Sequence, residues 1–245
     1  MLEEIAKIVS NSKKCVVLTG AGISAESGVP TFRGKDGLWR KFKPEELATM
    51  EAFQANSKVV WEWYNWRRQI LKDVKPNPGH HALYELESLF DKFTLVTQNV
   101  DGLHRIAGSH NILELHGNIN LNKCVKCSLK FPDDIDINPD DIPRCPKCGG
   151  QIRPDVVWFG EMLDATIIRQ AFEDSAKADV FFSVGTSALV HPAASLPIEA
   201  KNSGATLVEI NVENTPLTSL ADFHIAELSG EFLPKLLERI KLTQA

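Results

Sequence analysis

Four cysteines offer the most specific chemistry in this 245-residue chain. Cys124-x2-Cys127 and Cys145-x2-Cys148 stand seventeen positions apart, the spacing of a four-cysteine zinc ribbon. Each pair suits a tight turn, and Cys145-Pro-Lys-Cys148-Gly-Gly supplies the Pro and Gly that such a knuckle favours. Four thiolates close a tetrahedral shell and leave no open position, so the expected metal is one structural Zn2+. Iron in the same shell, or free or disulfide-bonded thiols, are the competing readings. The fifth cysteine, Cys15, lies in an apolar run and reads as a buried thiol.

A second signal is Leu18-Thr-Gly20-Ala-Gly22-Ile-Ser-Ala25, a GxGxxA turn directly after a candidate strand. Glycines there let the backbone approach a pyrophosphate, whose charge faces the following helix N-terminus. A tight strand-to-helix turn without ligand accounts for the same pattern. The acidic residue of a standard dehydrogenase, about 20 positions on, is not clearly placed: Glu45 and Glu46 lie beyond Pro44. Other polar residues close other candidate strands: Thr97-Gln98-Asn99-Val100-Asp101, Glu114-Leu115-His116-Gly117-Asn118, Gly185-Thr186-Ser187 and Asn211. In an open α/β sheet such ends converge on one crevice. Capping explains any one of them; four at equivalent positions point to a site. His116 is the only histidine at such an end, and its neutral form suits a general base.

The elements that must position these residues read as a doubly wound α/β fold. An amphipathic helix spans Leu2 to Val9. Strands are expected at Cys15–Thr19, Phe93–Thr97, Asn111–Leu115, Val180–Val184 and Thr206–Ile210, with helices at Gly79–Phe90, Asp164–Ala176 and Ala193–Asn202. That alternation implies a parallel sheet. The stretch 120–150 interrupts it, rich in Pro, Asp, Lys and Cys, as an insert held by something other than a core. Residues 33–78 carry helical patterns and four of the five tryptophans, as a helical module or lid. With 27 basic and 32 acidic residues the chain lacks the basic excess of a nucleic-acid binder. Its start shows no signal peptide and its apolar runs are too short for a membrane span, so a cytoplasmic location is expected.

Taken together, the motifs resemble the sirtuin family of NAD-dependent protein lysine deacylases. The pieces stand in the family's order over Lys14 to Gly230: GAGISAESGVPTFRG at 20–34, TQNVDGLH at 97–104, LHGN at 115–118, the four cysteines, VVWFGE at 156–161, GTSALVHPAA at 185–194 and EIN at 209–211. The resemblance implies a Rossmann-like NAD-binding domain formed by 1–32, 80–119 and 151–245. It further implies a helical module and cofactor loop at 33–79 and a zinc-binding module at 120–150.

In that family the acyl oxygen of an acyl-lysine attacks the nicotinamide ribose and nicotinamide leaves. A histidine then serves as base for the ribose hydroxyls, and the products are free lysine and O-acyl-ADP-ribose. His116 matches that base, and Asn99 the residue beside the reacting ribose. Asp101 matches the acceptor for the nicotinamide amide, and Gln98 a ribose contact. Ala21 and Ile23 match the nicotinamide pocket, Phe32 the ring over the reactive face and Arg33 a cation near the phosphates. Gly20, Gly22, Val100, Gly185, Thr186, Ser187, Asn211, Val212, Glu213 and Ser229 complete the implied NAD contacts. Val157, Phe159, Gly160 and Val190 match the substrate-binding edges, with a second substrate-pairing strand near Leu189 to His191.

Acyl specificity follows from helix geometry. Val60, Trp63, Tyr64, Arg67 and Leu71 share one face at helical spacing, so Arg67 stands within an apolar stripe. A charge there costs several kcal/mol unless paired. Its partner is either an internal carboxylate or a carboxylate on the substrate. Tyr64-x-x-Arg67 matches the sirtuin subclass that removes succinyl, malonyl and glutaryl groups, so desuccinylase and demalonylase activity with residual deacetylation is expected. Two other functions fit the same motifs: NAD-dependent ADP-ribosyl transfer to protein, and a zinc-ribbon interaction module that binds NAD without turnover.

Overall fold

Cys15 to Thr19 combine three β-branched residues with no charge, which suits a strand covered on both faces. The computed structural model, which describes residues 1–32, 37–38, 42–131 and 140–244, places them in the central strand β1 (Lys14–Thr19). Helix α1 (Leu2–Asn11) precedes it and buries Ile5, Ala6 and Val9. After β1 come the short α2 (Ala21–Ala25), then α3 (Pro44–Leu47), α4 (Met50–Ala55), α5 (Ser57–Lys72) and α6 (Pro78–Glu87). Next are β2 (Lys92–Thr97), α7 (Leu103–Ile106), β3 (Ile112–Glu114), β4 (Gly117–Cys124), β5 (Lys130–Phe131) and β6 (Ile152–Val156). The chain ends through α8 (Ala165–Ser175), β7 (Val180–Val184), α9 (Leu196–Asn202), β8 (Thr206–Ile210), β9 (Phe223–Ile225) and α10 (Ser229–Gln244).

Six strands form a parallel sheet in the order β3-β2-β1-β7-β8-β9. Alternate side chains of each strand point to opposite faces. Val17, Leu95, Phe182 and Val208 pack with α1, α6 and α10; Val16, Val96, Phe181 and Leu207 pack with α8 and α9. A third apolar cluster joins α3, α4 and α5 to Val100, Ile119, Val156 and Trp158. A second, antiparallel sheet of order β5-β4-β6 carries the cysteine segment. Among the described residues no helix is long and apolar enough to cross a membrane.

The expected strands are present, two of them with the expected ends. The expected helix 193–202 opens instead with a 3-10 turn at Ala193–Ser195, and Pro197 sits in the first turn of α9. Six elements lie outside the reading of the sequence: β4, β5, β6, β9, α7 and α10. Strand β4 alternates polar and apolar residues over 118–122, but it runs into the cysteine segment that reads as an irregular insert. Strand β9 is too short to show a period. In α10, Phe232, Leu233, Leu236, Leu237 and Ile240 have helical spacing, but Pro234 inside the helix reads as a break.

The chain leaves β1 toward β2 on one side and returns to β7 on the other, so the switch point lies between β1 and β7. There the glycines serve a contact that sequence did not show. A Cβ on Gly22 would lie 2.6 Å from the Gly185 Cα, and one on Gly20 would lie 2.8 Å from the Gly185 carbonyl oxygen. Gly185 itself has φ +58°. The turns after β1 and β7 therefore pack backbone against backbone. Gly22→Ala is expected to lower unfolding free energy by about 1–3 kcal/mol, the cost of overpacking a tight contact. Urea denaturation measures this, and an unchanged midpoint would mean that the two turns part without cost.

Candidate active site

Strand register brings the polar residues to one level. Thr19 pairs with Thr97 and Val184, Thr97 with Glu114, and Val184 with Ile210. One residue beyond this row stand Gly20, Gln98, Leu115, Gly185 and Asn211, each donating its N–H to a neighbouring strand's last carbonyl at 2.9–3.0 Å. Gln98 Nε2 donates to Thr186 Oγ1 at 2.9 Å, and Asn211 Nδ2 donates to the Thr186 carbonyl at 2.8 Å. Thus Gln98, Gly185, Thr186 and Asn211 form one bonded rim. Ser187 is half-buried beside it, and Val212 and Glu213 are exposed beyond Asn211.

Asn99 and Asp101 are joined through a residue that the sequence reading passed over, Ser24. Asn99 Nδ2 donates to the Gly20 carbonyl at 2.9 Å and to Ser24 Oγ at 3.1 Å; Ser24 Oγ donates to Asp101 Oδ2 at 2.8 Å. The Leu103 N–H donates to the other Asp101 oxygen at 2.9 Å. All three side chains are buried. Burial pushes the Asp101 carboxyl up from its ordinary value, against hydrogen bonds from Leu103 and Ser24 and the charge of Arg67. The missed signal was positional: Ser24 stands three residues from Ala21, and that spacing puts both on one helix face. Ala21, Ser24, Phe32, Arg67, Asn99 and Asp101 line one cavity, with Val100 beside them. Ile23, expected in this wall, points the other way and is fully enclosed in the core with Val17 and Leu83.

His116 sits between β3 and β4 and is held from two sides. Its Nδ1 bonds the Gln98 carbonyl at 2.8 Å, and its own carbonyl accepts the Val157 N–H at 2.9 Å. A carbonyl can only accept, so Nδ1 carries the proton and Nε2 is left with the lone pair. Burial draws the imidazole below its ordinary value, opposed by that hydrogen bond. The ring is therefore neutral at pH 7. Gly117 next to it has φ +79°, and a Cβ there would lie 2.1 Å from the Asp155 carbonyl oxygen, so only glycine fits.

Other expected site residues fall elsewhere. Ser229 Oγ donates to Glu26 at 2.6 Å at the start of α10, which ties that helix to the end of α2. Arg33 lies outside the described residues. Val157–Phe159 and Leu189–His191 carry no strand; β6 ends at Val156. Phe159 and Leu189 are exposed, and Val157 and Val190 are half-buried. The N–H groups of Val157, Trp158 and Phe159 bond the His116 carbonyl, Glu161 and the Ala48 carbonyl. Gly160, at φ +83°, is exposed at the tip.

Arg67 is 8% exposed, and among the described residues no carboxylate lies within ion-pair distance of it and no hydrogen bond reaches it. Three rings surround its guanidinium instead: Trp63 at 4.8 Å, Phe32 at 4.9 Å and Tyr64 at 5.7 Å from the ring centroids. Burial pulls its pKa down from the ordinary value, with Tyr64 and Asp101 opposing. Cation–π contacts contribute about 0.5–2 kcal/mol each. They offset desolvation in part but satisfy none of the guanidinium's five N–H donors.

The four cysteines converge at the base of the small sheet, with their sulfurs all within 4.8 Å of one another. Cys124 and Cys148 sulfurs are 3.4 Å apart, and those of Cys127 and Cys145 are 3.7 Å apart. A tetrahedron of Zn–S bonds of about 2.3 Å has edges of about 3.8 Å. The donor set and its spacing fit one structural zinc ion. Chelating the metal is expected to release one zinc per chain, lower the melting temperature and abolish activity, as read by metal analysis and calorimetry. Full activity in metal-free protein would contradict this.

A model of the Sir2 family matches residues 20–192. The NAD-dependent protein deacylase of Pyrococcus abyssi is 50% identical over 246 aligned residues, 98% of each chain. That of Pyrococcus furiosus is 53% identical over 246 residues, again 98% of each. A solved Sir2 homologue in complex with NAD superposes with a TM-score of 0.93 at 44% identity, covering 99% of this chain and 95% of that one. A glycine-packed switch point, a histidine of defined tautomer beside it and a four-sulfur cluster on an inserted sheet thus occur together in a sequence of matching length, and the chain belongs to the Sir2 family.

Proposed function

We propose that this chain is an NAD-dependent protein lysine deacylase that prefers acyl groups ending in a carboxylate, succinyl and malonyl, over acetyl. Its partners are acylated lysines of other proteins. NAD supplies the electrophilic sugar carbon from which nicotinamide departs. Gly20, Gly22, Gly185, Thr186 and Asn211 offer the backbone and side-chain contacts of the rim. Gln98 stands where it reaches the ribose hydroxyls, and Asn99 and Asp101 the nicotinamide end. His116 Nε2 accepts a proton from a ribose hydroxyl, a role worth about 10²–10⁴-fold in rate. Phe32 and Arg67 wall the cavity and exclude water from the reacting centre. The exposed edge at Phe159 and Gly160 and the segment around Val190 receive the peptide.

The observation that carries the acyl preference is Arg67, a buried cation ringed by aromatics with no carboxylate partner among the described residues. A terminal carboxylate matches the guanidinium fork bidentately. An acetyl group leaves those donors unpaired, which costs it transition-state binding. Arg67→Met is expected to lower kcat/KM on a succinyl-lysine peptide by about 10²-fold, roughly the 3 kcal/mol of a desolvated charge pair. The same change should alter acetyl-peptide turnover far less. Equal losses on the two peptides would discard the carboxylate reading.

The base has its own test. The neutral imidazole is the active form, so kcat/KM should rise with pH through a midpoint below the ordinary histidine value and level off above it. His116→Ala should remove that limb and cut release of free lysine and O-acyl-ADP-ribose by about 10²–10⁴-fold. A wild-type midpoint above 7, or undiminished release by the variant, would overturn the assignment.

A further inference from the structure

Trp158 is buried between α5 and the small sheet, 2% exposed. Its indole Nε1–H donates to the Tyr64 hydroxyl at 2.9 Å. The Arg153 guanidinium lies 3.8 Å from its ring centroid, closer than at any other such contact among the described residues. Arg153 is itself 2% exposed and pairs through Nη2 with Glu161 Oε2 at 2.7 Å. The same Glu161 oxygen accepts the Trp158 backbone N–H at 2.8 Å. Phe53 packs on the indole at 5.4 Å between centroids. The indole is thus held by its main chain, by a stacked cation and by a neighbouring ring.

This clamp decides what the Tyr64 phenol can do. A hydroxyl offers one donor and two acceptor positions. The indole N–H fills an acceptor position, and the phenolic proton has no acceptor among the described residues. One turn along α5, Arg67 is buried and likewise has no hydrogen-bond acceptor among the described residues. Two donors at i and i+3 on one helix face, both buried and both lacking an acceptor, are the complement of a carboxylate.

We propose that Trp158 is a positioning residue for acyl specificity: its N–H orients the Tyr64 hydroxyl so that the phenolic proton, together with the Arg67 fork, receives the acyl carboxylate. Arg153 and Glu161 hold the indole in place for that purpose. The inference rests on the carboxylate preference argued above, and adds a residue that touches neither cofactor nor acyl group.

The test is a double-mutant cycle on holoenzyme with matched succinyl- and acetyl-lysine peptides. Trp158→Phe keeps a ring and deletes the N–H donor. It should lower succinyl kcat/KM by about tenfold, mainly through KM, the worth of one buried hydrogen bond. The acetyl value should fall by about twofold or less. The double variant Tyr64→Phe with Trp158→Phe should be no worse on succinyl peptide than Tyr64→Phe alone, because the indole acts only through the phenol. Equal losses on both peptides, or losses that add to those of Tyr64→Phe, would overturn the proposal. A wild type that prefers succinyl, with Trp158→Phe unaffected, overturns this inference alone. A wild type indifferent to the carboxylate overturns the acyl reading and this inference with it. Should Trp158→Phe fail to fold, 3-benzothienylalanine at position 158 preserves the bicyclic shape without the N–H and decides between the same outcomes.

Discussion

Backbone packed on backbone at the sheet's switch point is the contact on which the rest of this molecule depends. The turn holding Gly20 and Gly22 touches Gly185 at distances that leave no room for a single Cβ. This closeness lets Asn99 reach the Gly20 carbonyl from β2 and lets Gln98 reach Thr186 across the crevice. Parallel pairing does the remainder: because strands β1, β2, β3, β7 and β8 end in register, residues from widely separated parts of the chain meet at one level. Moving one turn outward by an ångström would disperse that row.

A single cause runs through the site's electrostatics. Enclosure lowers the His116 pKa, raises that of Asp101 and lowers that of Arg67, each by disfavouring the charged form. For the imidazole this secures a neutral base, and for the guanidinium it leaves a cation in need of an anion. Burial therefore shifts all three groups in the same sense, toward their uncharged forms, without any change in the chemistry of the sheet itself.

The small sheet is tied to the cavity lined by Arg67 by a short path. Cys124 of β4 pairs with Ile152 of β6, and Arg153 follows directly. From Arg153 the path runs through the stacked indole of Trp158 to the hydroxyl of Tyr64 on α5. The Ile152 carbonyl also accepts the Trp61 indole N–H from the same helix at 3.2 Å. The segment that carries the four cysteines thereby braces the helix that carries Tyr64 and Arg67.

Patterns with a local cause were legible from the residues alone. Two Cys-x-x-Cys pairs, a Gly-rich turn after a β-branched run and an arginine in an apolar helical stripe announced a four-sulfur cluster, a crevice and a buried cation, because spacing, backbone freedom and periodicity act within a few residues. Contacts between distant segments were not legible. That Ser24 joins Asn99 to Asp101, that Ile23 faces the core and that Ser229 serves Glu26 follow from which face a five-residue helix turns to its surroundings, and packing alone sets this. The order of letters by itself determined the family and the fold class. Only the folded chain decided that no carboxylate among the described residues lies within ion-pair distance of Arg67 and that Trp158 lies against Tyr64, since both depend on where residues far apart in sequence come to rest.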